Sequence, residues 1–457
     1  MIWKKIGCYF FVGCLLLTAA CAPKERKGYA PPSIIPGTIE EMKSPGFWTS
    51  QDPLADQVVL DKDGIAQLNA QVQNDLGLIT DVMAVGPDCD GAKLRAELEK
   101  IFVELGLEKL FGKNALRLKR QEIQAVNQNM NTASIAPVVS VRYGAISRCA
   151  DQRLLPTDAL AVKKPGDVEF DELQNSSLDI GTPLAILHES KDGAWFYVHA
   201  PSSVGWVKKD HVVICPLAEL KSYLAQAPFV VVTTAKADIF WDAARTQYVD
   251  TVRMGAMFPC NVDANSDVVE ITIPSVSAER NGIWQKAYIK KDNIHVGFLP
   301  YTPRTMIEQA FRLLNAPYGW GGANGEQDCS SFLQEIFATV GIRLPRNSGD
   351  QGKVGRSLGT WGAQASDSIK EGALRAFALP GATIVQLNGH VLLYLGTYQN
   401  IPYVIHATYG YREKVWYGEI LRKVNRVIVS DLSLGAGTKK GSLLNRIVSI
   451  RLVDHEK

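Results

Sequence analysis

The sequence predicts a multidomain α+β protein: a helical N-terminal segment, two small β-barrels and a C-terminal α+β domain that carries the chemistry. Three observations lead there. A chain of 457 residues is too long for one ordinary core. Apolar residues repeat at helical spacing up to about residue 137, then switch to short alternating runs broken by Gly, Asp and Ser. Near residue 320 a glycine-rich loop enters an apolar helix that begins with a cysteine.

The N-terminus reads as an address. Lys4 and Lys5 precede an apolar run from Ile6 to Leu17, which ends in Leu17-Thr18-Ala19-Ala20-Cys21. A positive start, a short apolar stretch and small residues before a cysteine resemble a bacterial lipoprotein signal over residues 1–20, with Cys21 as the lipidated residue. The run is short for a transmembrane helix, and no other run reaches the required length. Several acyl chains on Cys21 give stable anchoring. Ala22 after the cysteine points to the outer membrane, facing the periplasm. Residues 21–45, rich in Pro, Gly, Lys and Glu, read as a tether.

Residues 46–137 read as a helical stabilising domain. Asp61 or Asp63 caps a helix carrying Ile65, Leu68 and Val72, Asp90 caps one carrying Leu94, Leu98 and Phe102, and a third runs from Leu116 through Val126. In the first barrel, 138–216, strands are expected at Leu184–His188, Trp195–Val198 and Gly205–Val207. A weaker echo, Val230–Val232, Ile283-Trp284, Ala287–Ile289 and Gly297–Leu299, marks the second barrel, 217–301. The net charge of +2, with both signs interspersed, gives no argument for a nucleic-acid partner.

Cys329 follows Asp328 at the start of a helix carrying Phe332, Leu333, Ile336, Phe337 and Val340. Unpaired N–H groups and the positive dipole end meet there, and both favour a thiolate. A buried structural thiol is the alternative, but the polar neighbours and Gly-rich loop favour a nucleophile. Of seven histidines, His390 opens the run Gly389–Gly396 and His406 closes Pro402–Ala407. A hairpin with its turn near Tyr398 sets His390 opposite His406. His390 then takes the thiol proton, His406 fixes its tautomer, Cys329 attacks an amide carbonyl, and the Cys329 N–H serves the oxyanion.

Four motifs in order, Tyr318-Gly319-Trp320-Gly321-Gly322, Asp328-Cys329-Ser330-Ser331-Phe332, Leu344-Pro345-Arg346 and Gly389-His390-Val391, resemble the NlpC-type, papain-like cell-wall cysteine peptidases. The resemblance implies a papain-like catalytic domain over 302–457 and a Cys329, His390, His406 triad. It implies hydrolysis of the γ-D-glutamyl–diamino acid bond of peptidoglycan stem peptides through a thioester acyl-enzyme, with no metal and no other cofactor. It also implies that Tyr318 lies near the nucleophile, that Asp328 binds the amine of a free N-terminal alanine, and that Ser330 and Ser348 contact the stem peptide. The barrels resemble the tandem bacterial SH3-like pair of the γ-D-glutamyl-diamino acid endopeptidase branch, whose first barrel narrows the cleft. The barrel tyrosine of that branch is absent from Ser202-Ser203-Val204-Gly205-Trp206. A monomer is expected. Cys89, Cys149, Cys215 and Cys260 allow three full pairings; Cys149 and Cys215 bracket the first barrel and are the preferred pair, with free thiols as the alternative. Two other functions fit the sequence: a non-enzymatic wall-binding scaffold, and a same-fold amidase or acyltransferase acting on intact wall.

Overall fold

The C-terminal strands are apolar on both faces because helices cover both. Residues 35–276, 282–362 and 365–455 of the computed structural model are described here in full, with the backbone of Lys27–Tyr29; the expected lipoprotein signal over residues 1–20 and Cys21 lie outside the described residues. One seven-stranded sheet runs in the order Lys27–Tyr29, Gly418–Asp431, Ile401–Val415, His390–Tyr398, Thr383–Leu387, Ile447–Leu452, Arg356–Thr360. Val391, Leu393 and Leu395 face one core, which holds Phe332, Leu333, Ile336 and Phe337 of the helix Cys329–Ala338. Leu392 and Tyr394 face a second core with Leu374 of the helix Asp367–Phe377. Strands buried on both sides lose the alternation that half-exposed strands display.

Each barrel is a seven-stranded sheet, the first spanning Arg142–Ile146 to Val212–Ile214 and the second Phe229–Val232 to Ile294–Val296. The expected strands of the first barrel are present as Pro183–Glu189, Trp195–His199 and Val204–Lys208. In the second, Ile283-Trp284 and Ala287–Ile289 belong to one strand, Gly282–Lys290. Gly297–Leu299 is not a strand: Gly297 takes φ +73° just after Ile294–Val296 ends. The long antiparallel partner of Gly282–Lys290, the strand Val268–Val276, is not among the strands expected from the sequence.

The helical N-terminal segment is not one module. Asp61 caps Lys62–Ala70, its carboxylate accepting from the Gly64 N–H, and Asp90 caps Gly91–Leu105. Leu68 and Val72 bury against the catalytic core, whereas Leu94 and Leu98 bury against the first barrel with Tyr197 and Trp206. The tether is also shorter than expected. Ile35 and Met42 are buried, and the Tyr403 hydroxyl donates to the Gly37 carbonyl at 2.8 Å. Residues 35–45 are held by apolar contacts on the catalytic domain, which a Pro- and charge-rich composition conceals.

The preferred disulfide is absent. Cys149 and Cys215 are free thiols in different cores; the Cys149 sulfur lies 3.1 Å from the Thr251 carbonyl, and Cys215 packs with Leu220.

The three domains meet at Arg253 of the second barrel. It binds Asp179 of the first barrel at 2.7 Å and lies 3.5 Å from Glu335 on the nucleophile helix. Neither Glu335 carboxylate oxygen makes a hydrogen bond, and burial, only partly opposed by Arg253, pushes this carboxyl from 4.5 up to about 8. The fold therefore holds a proton that the unfolded chain releases at lower pH, and stability falls as pH rises from 4.5 toward about 8. Glu335→Gln is expected to raise the melting temperature at pH 8 and to flatten its pH dependence across this window. Thermal scans at several pH values check this; an unchanged pH dependence contradicts it.

Candidate active site

Cys329 occupies the first position of its helix, where no helical carbonyl can accept its N–H. Asp328 is the N-cap. Its Oδ1 accepts from the N–H groups of Ser330 and Ser331 at 3.1 and 2.9 Å. Its Oδ2 accepts from Arg346 Nη2 at 2.6 Å and from the Gly321 N–H at 3.2 Å. Arg346 Nη1 donates to Ser330 Oγ at 2.8 Å, and Arg346 Nε donates to Ser176 Oγ of the first barrel at 3.2 Å. Gly321 has φ +64°, and a Cβ there would lie 2.6 Å from the Gln174 carbonyl oxygen, so the loop needs glycine to let the first barrel approach. The Trp320 indole N–H closes the contact by donating to the Asp171 carbonyl at 3.0 Å.

This geometry corrects two expectations. Asp328 is not an unpaired carboxylate awaiting a substrate amine, because Arg346 already supplies its counter-charge. The thiolate is also not the resting form. Burial pushes the Cys329 thiol up to about 12, with the Asp328 charge adding to it, against the opposing effects of the Val391 and Ser330 N–H groups and Arg346. Burial outweighs the helix terminus.

The two histidines come together through a bulge. His390 follows the two-residue turn Asn388-Gly389, pairing Leu387 with His390, and Gly389 takes φ +73°. The next turn centres on Gln399 and Asn400, both at positive φ, later than the Tyr398 centre expected. Carried back without interruption, that register would set His390 and His406 on opposite faces. The bulge between Tyr394 and Gly396 shifts pairing by one residue, so Leu393 pairs with Ile405 and both histidines share a face as diagonal neighbours. His390 Nε2 lies 2.9 Å from His406 Nδ1, and His406 Nε2 lies 3.2 Å from Ser430 Oγ. With His406 donating from Nε2 to Ser430, its Nδ1 accepts from His390 Nε2–H. His390 Nδ1 is then the lone pair left for the thiol proton. Val391, next to His390, directs its backbone N–H at the Cys329 sulfur.

Burial, reinforced by Arg446 and Lys440 and opposed by Asp328, lowers His390 from 6.5 to about 3. Burial and the neighbouring His390 hold His406 well below the usual histidine range. The resting pair is thus neutral thiol and neutral imidazole. A base works only above its own pKa, so the acid limb of kcat/KM is expected below the ordinary histidine value of 6.5. A pH–rate profile checks this, and an acid limb near 6.5 contradicts it.

A cleft of about 290 Å³ is lined by Tyr318, His390, His406, Tyr409, Lys440 and Arg446, among others. Cys329, 7 % exposed, lies behind this lining, close to Tyr318 and to the backbone N–H of Val391, the residue after His390. Burial, with the Cys329 and Asp328 charges, raises the Tyr318 phenol. Ser330 is buried in the Arg346 network, and Ser348 is half-buried at the start of Ser348–Gln351. A larger cavity of about 480 Å³ lies between the domains, but its lining has no cysteine or histidine. Sequence reasoning missed Ser430, which lies two strand-lengths away, and Arg446, which sits on a loop. Arg346 stood inside a quoted motif without a role.

A thiol at a helix start, a histidine on the adjoining sheet and a second histidine behind it form an arrangement with the parts that cysteine-hydrolase chemistry requires. Residues 315–420 match the NlpC/P60 family and residues 161–208 match the SH3 domain of SH3b1 type, so the chain contains an NlpC/P60 domain preceded by a bacterial SH3 domain. The chain is similar to a gamma-D-glutamyl-L-lysine dipeptidyl-peptidase of Bacillus subtilis, 28% identical over 149 residues, covering 31% of this chain and 47% of that protein. It is also similar to the peptidoglycan endopeptidase RipB of Mycobacterium tuberculosis, 32% identical over 108 residues, covering 21% of this chain and 40% of that protein. The chain thus spans about half the length, or less, of these curated relatives. A solved NlpC/P60 endopeptidase from Photobacterium damselae subsp. piscicida matches with a TM-score of 0.73 at 20% identity, covering 94% of this chain and 99% of that one, a likeness of fold.

Proposed function

We propose that this chain is a cell-wall cysteine endopeptidase that hydrolyses the γ-D-glutamyl–diamino acid amide bond of peptidoglycan stem peptides. The observation that carries the reading is the hydrogen bond of 2.9 Å from His390 Nε2 to His406 Nδ1, which leaves His390 Nδ1 free beside the nucleophile helix. His390 takes the proton of the Cys329 thiol as the sulfur attacks the γ-carbonyl carbon. The oxyanion forms near the Cys329 N–H. The imidazolium then gives its proton to the leaving diamino-acid nitrogen, the C–N bond breaks, and a thioester remains. His390 next takes a proton from water as the water oxygen attacks the thioester carbonyl, the C–S bond breaks, the L-Ala-D-glutamate acid is released, and His390 returns the proton to the sulfur. Similarity to a gamma-D-glutamyl-L-lysine dipeptidyl-peptidase supports the choice of bond, and similarity to a peptidoglycan endopeptidase supports the choice of wall peptide as substrate. Lipid attachment at Cys21 would hold the enzyme at a membrane beside this substrate.

The test incubates the protein with L-Ala-γ-D-Glu-diaminopimelate, with its N-acetylated form and with whole sacculi. Release of L-Ala-γ-D-Glu is expected. Because Arg346 engages Asp328, the acetylated peptide is expected to be cleaved as well. If neither peptide nor sacculi are cut, the reading fails and a wall-binding scaffold takes its place.

A further inference from the structure

Among the described residues, the three fully buried arginines are paired with aspartates. Arg153 meets Asp171 at 2.6 Å, Arg253 meets Asp179 at 2.7 Å and Arg346 meets Asp328 at 2.6 Å. Arg446, half-buried on the loop between Gly418–Asp431 and Ile447–Leu452, makes no ion pair among the described residues. Lys440 on the same loop makes none either. Both line the cleft of His390 and His406, and so does Arg412, which leans on Glu419 at 3.9 Å. The three cations repel one another; burial, Arg446 and Arg412 together lower the Lys440 ammonium. A half-buried cation without a counter-charge is unfavourable, and a carboxylate entering this wall would relieve it.

We propose that Arg446, assisted by Lys440, is a subsite for one of two substrate carboxylates near the scissile amide, the glutamyl α-carboxylate or the side-chain carboxylate of diaminopimelate. The proposal rests on the endopeptidase reading above. A γ-linked glutamyl residue leaves its α-carboxylate free on the residue that supplies the scissile carbonyl. Diaminopimelate carries a further carboxylate on the amine side, which lysine lacks. The shared chemistry is a planar carboxylate, which a guanidinium grips with two parallel N–H bonds.

The test compares three peptides on the wild-type protein: L-Ala-γ-D-Glu-diaminopimelate, the same peptide with the glutamyl α-carboxylate as a carboxamide, and the lysine analogue. One of the two changes is expected to raise KM by roughly 10- to 100-fold while kcat moves little, and which one does so names the source. Arg446→Gln should abolish the preference between that peptide and the parent, and Lys440→Gln, at an exposed side chain, should weaken it. Equal KM values for all three peptides on the wild type overturn the proposal without any variant. Calorimetry of the same peptides on Cys329→Ala protein reads the subsite without turnover. Carboxylate-dependent affinity there supports it, and equal affinities overturn it. A lack of hydrolysis by the wild type counts against the peptidase reading alone.

Discussion

Cys329→Ala is expected to leave the fold in place and to lower amide hydrolysis by at least about 10⁴-fold. The side chain is small and 7 % exposed, so its removal leaves a minor void and a stability change of about 1 kcal/mol or less. In the proposed mechanism every covalent step passes through its sulfur, so nothing in the cleft replaces it. His390→Ala should fall almost as far, because a neutral buried thiol without a proton acceptor is not a nucleophile. The double variant should be no worse than either alone, since the two residues act as a unit. Turnover of the diaminopimelate peptide checks all three variants. Activity of Cys329→Ala within about tenfold of the wild type would exclude it as the nucleophile.

Arg346→Ala is expected to cost about 3–5 kcal/mol of stability. Its guanidinium is the counter-charge of Asp328, which burial would otherwise push toward protonation. Loss of the guanidinium leaves a buried carboxylate at the helix cap and also removes the bonds to Ser330 Oγ and to Ser176 Oγ of the first barrel. Against a total stability of about 5–15 kcal/mol for a typical domain, this is a large loss. Arg346→Met combined with Asp328→Asn should be milder than Arg346→Ala, because no unpaired charge remains. Urea unfolding separates the two cases. A loss of less than about 1 kcal/mol for Arg346→Ala contradicts the account.

The parts of the site legible in the sequence were those written locally. Asp328 before Cys329, followed by apolar residues at helical spacing, is a helix start, and the structure places the thiol there. Asp61 and Asp90 were readable as caps for the same reason. The His390–His406 pair was readable as two strand histidines on one face, but not in its register. A bulge at Gly396 and a turn at Gln399-Asn400 together decide it, and a two-residue period cannot reveal an inserted residue. The Asn388-Gly389 turn that seats His390 was a readable hairpin signal that went unused. Ser430 and Arg446 become relevant only when distant strands and a loop close over the histidines, so no local pattern marks them. The thiolate expectation failed because a helix terminus is visible in sequence and the degree of burial is not. The same blindness to burial made a tether of Ile35 and Met42.

The most direct test of the central claim is intact-mass spectrometry of the protein quenched in acid during turnover of L-Ala-γ-D-Glu-diaminopimelate, followed by peptide mapping. The account predicts an adduct with the mass of an L-Ala-γ-D-Glu acyl group on Cys329, absent from Cys329→Ala protein and removed by neutral hydroxylamine. Cleavage that proceeds with Cys329 unmodified, or with the acyl group on another residue, would contradict it.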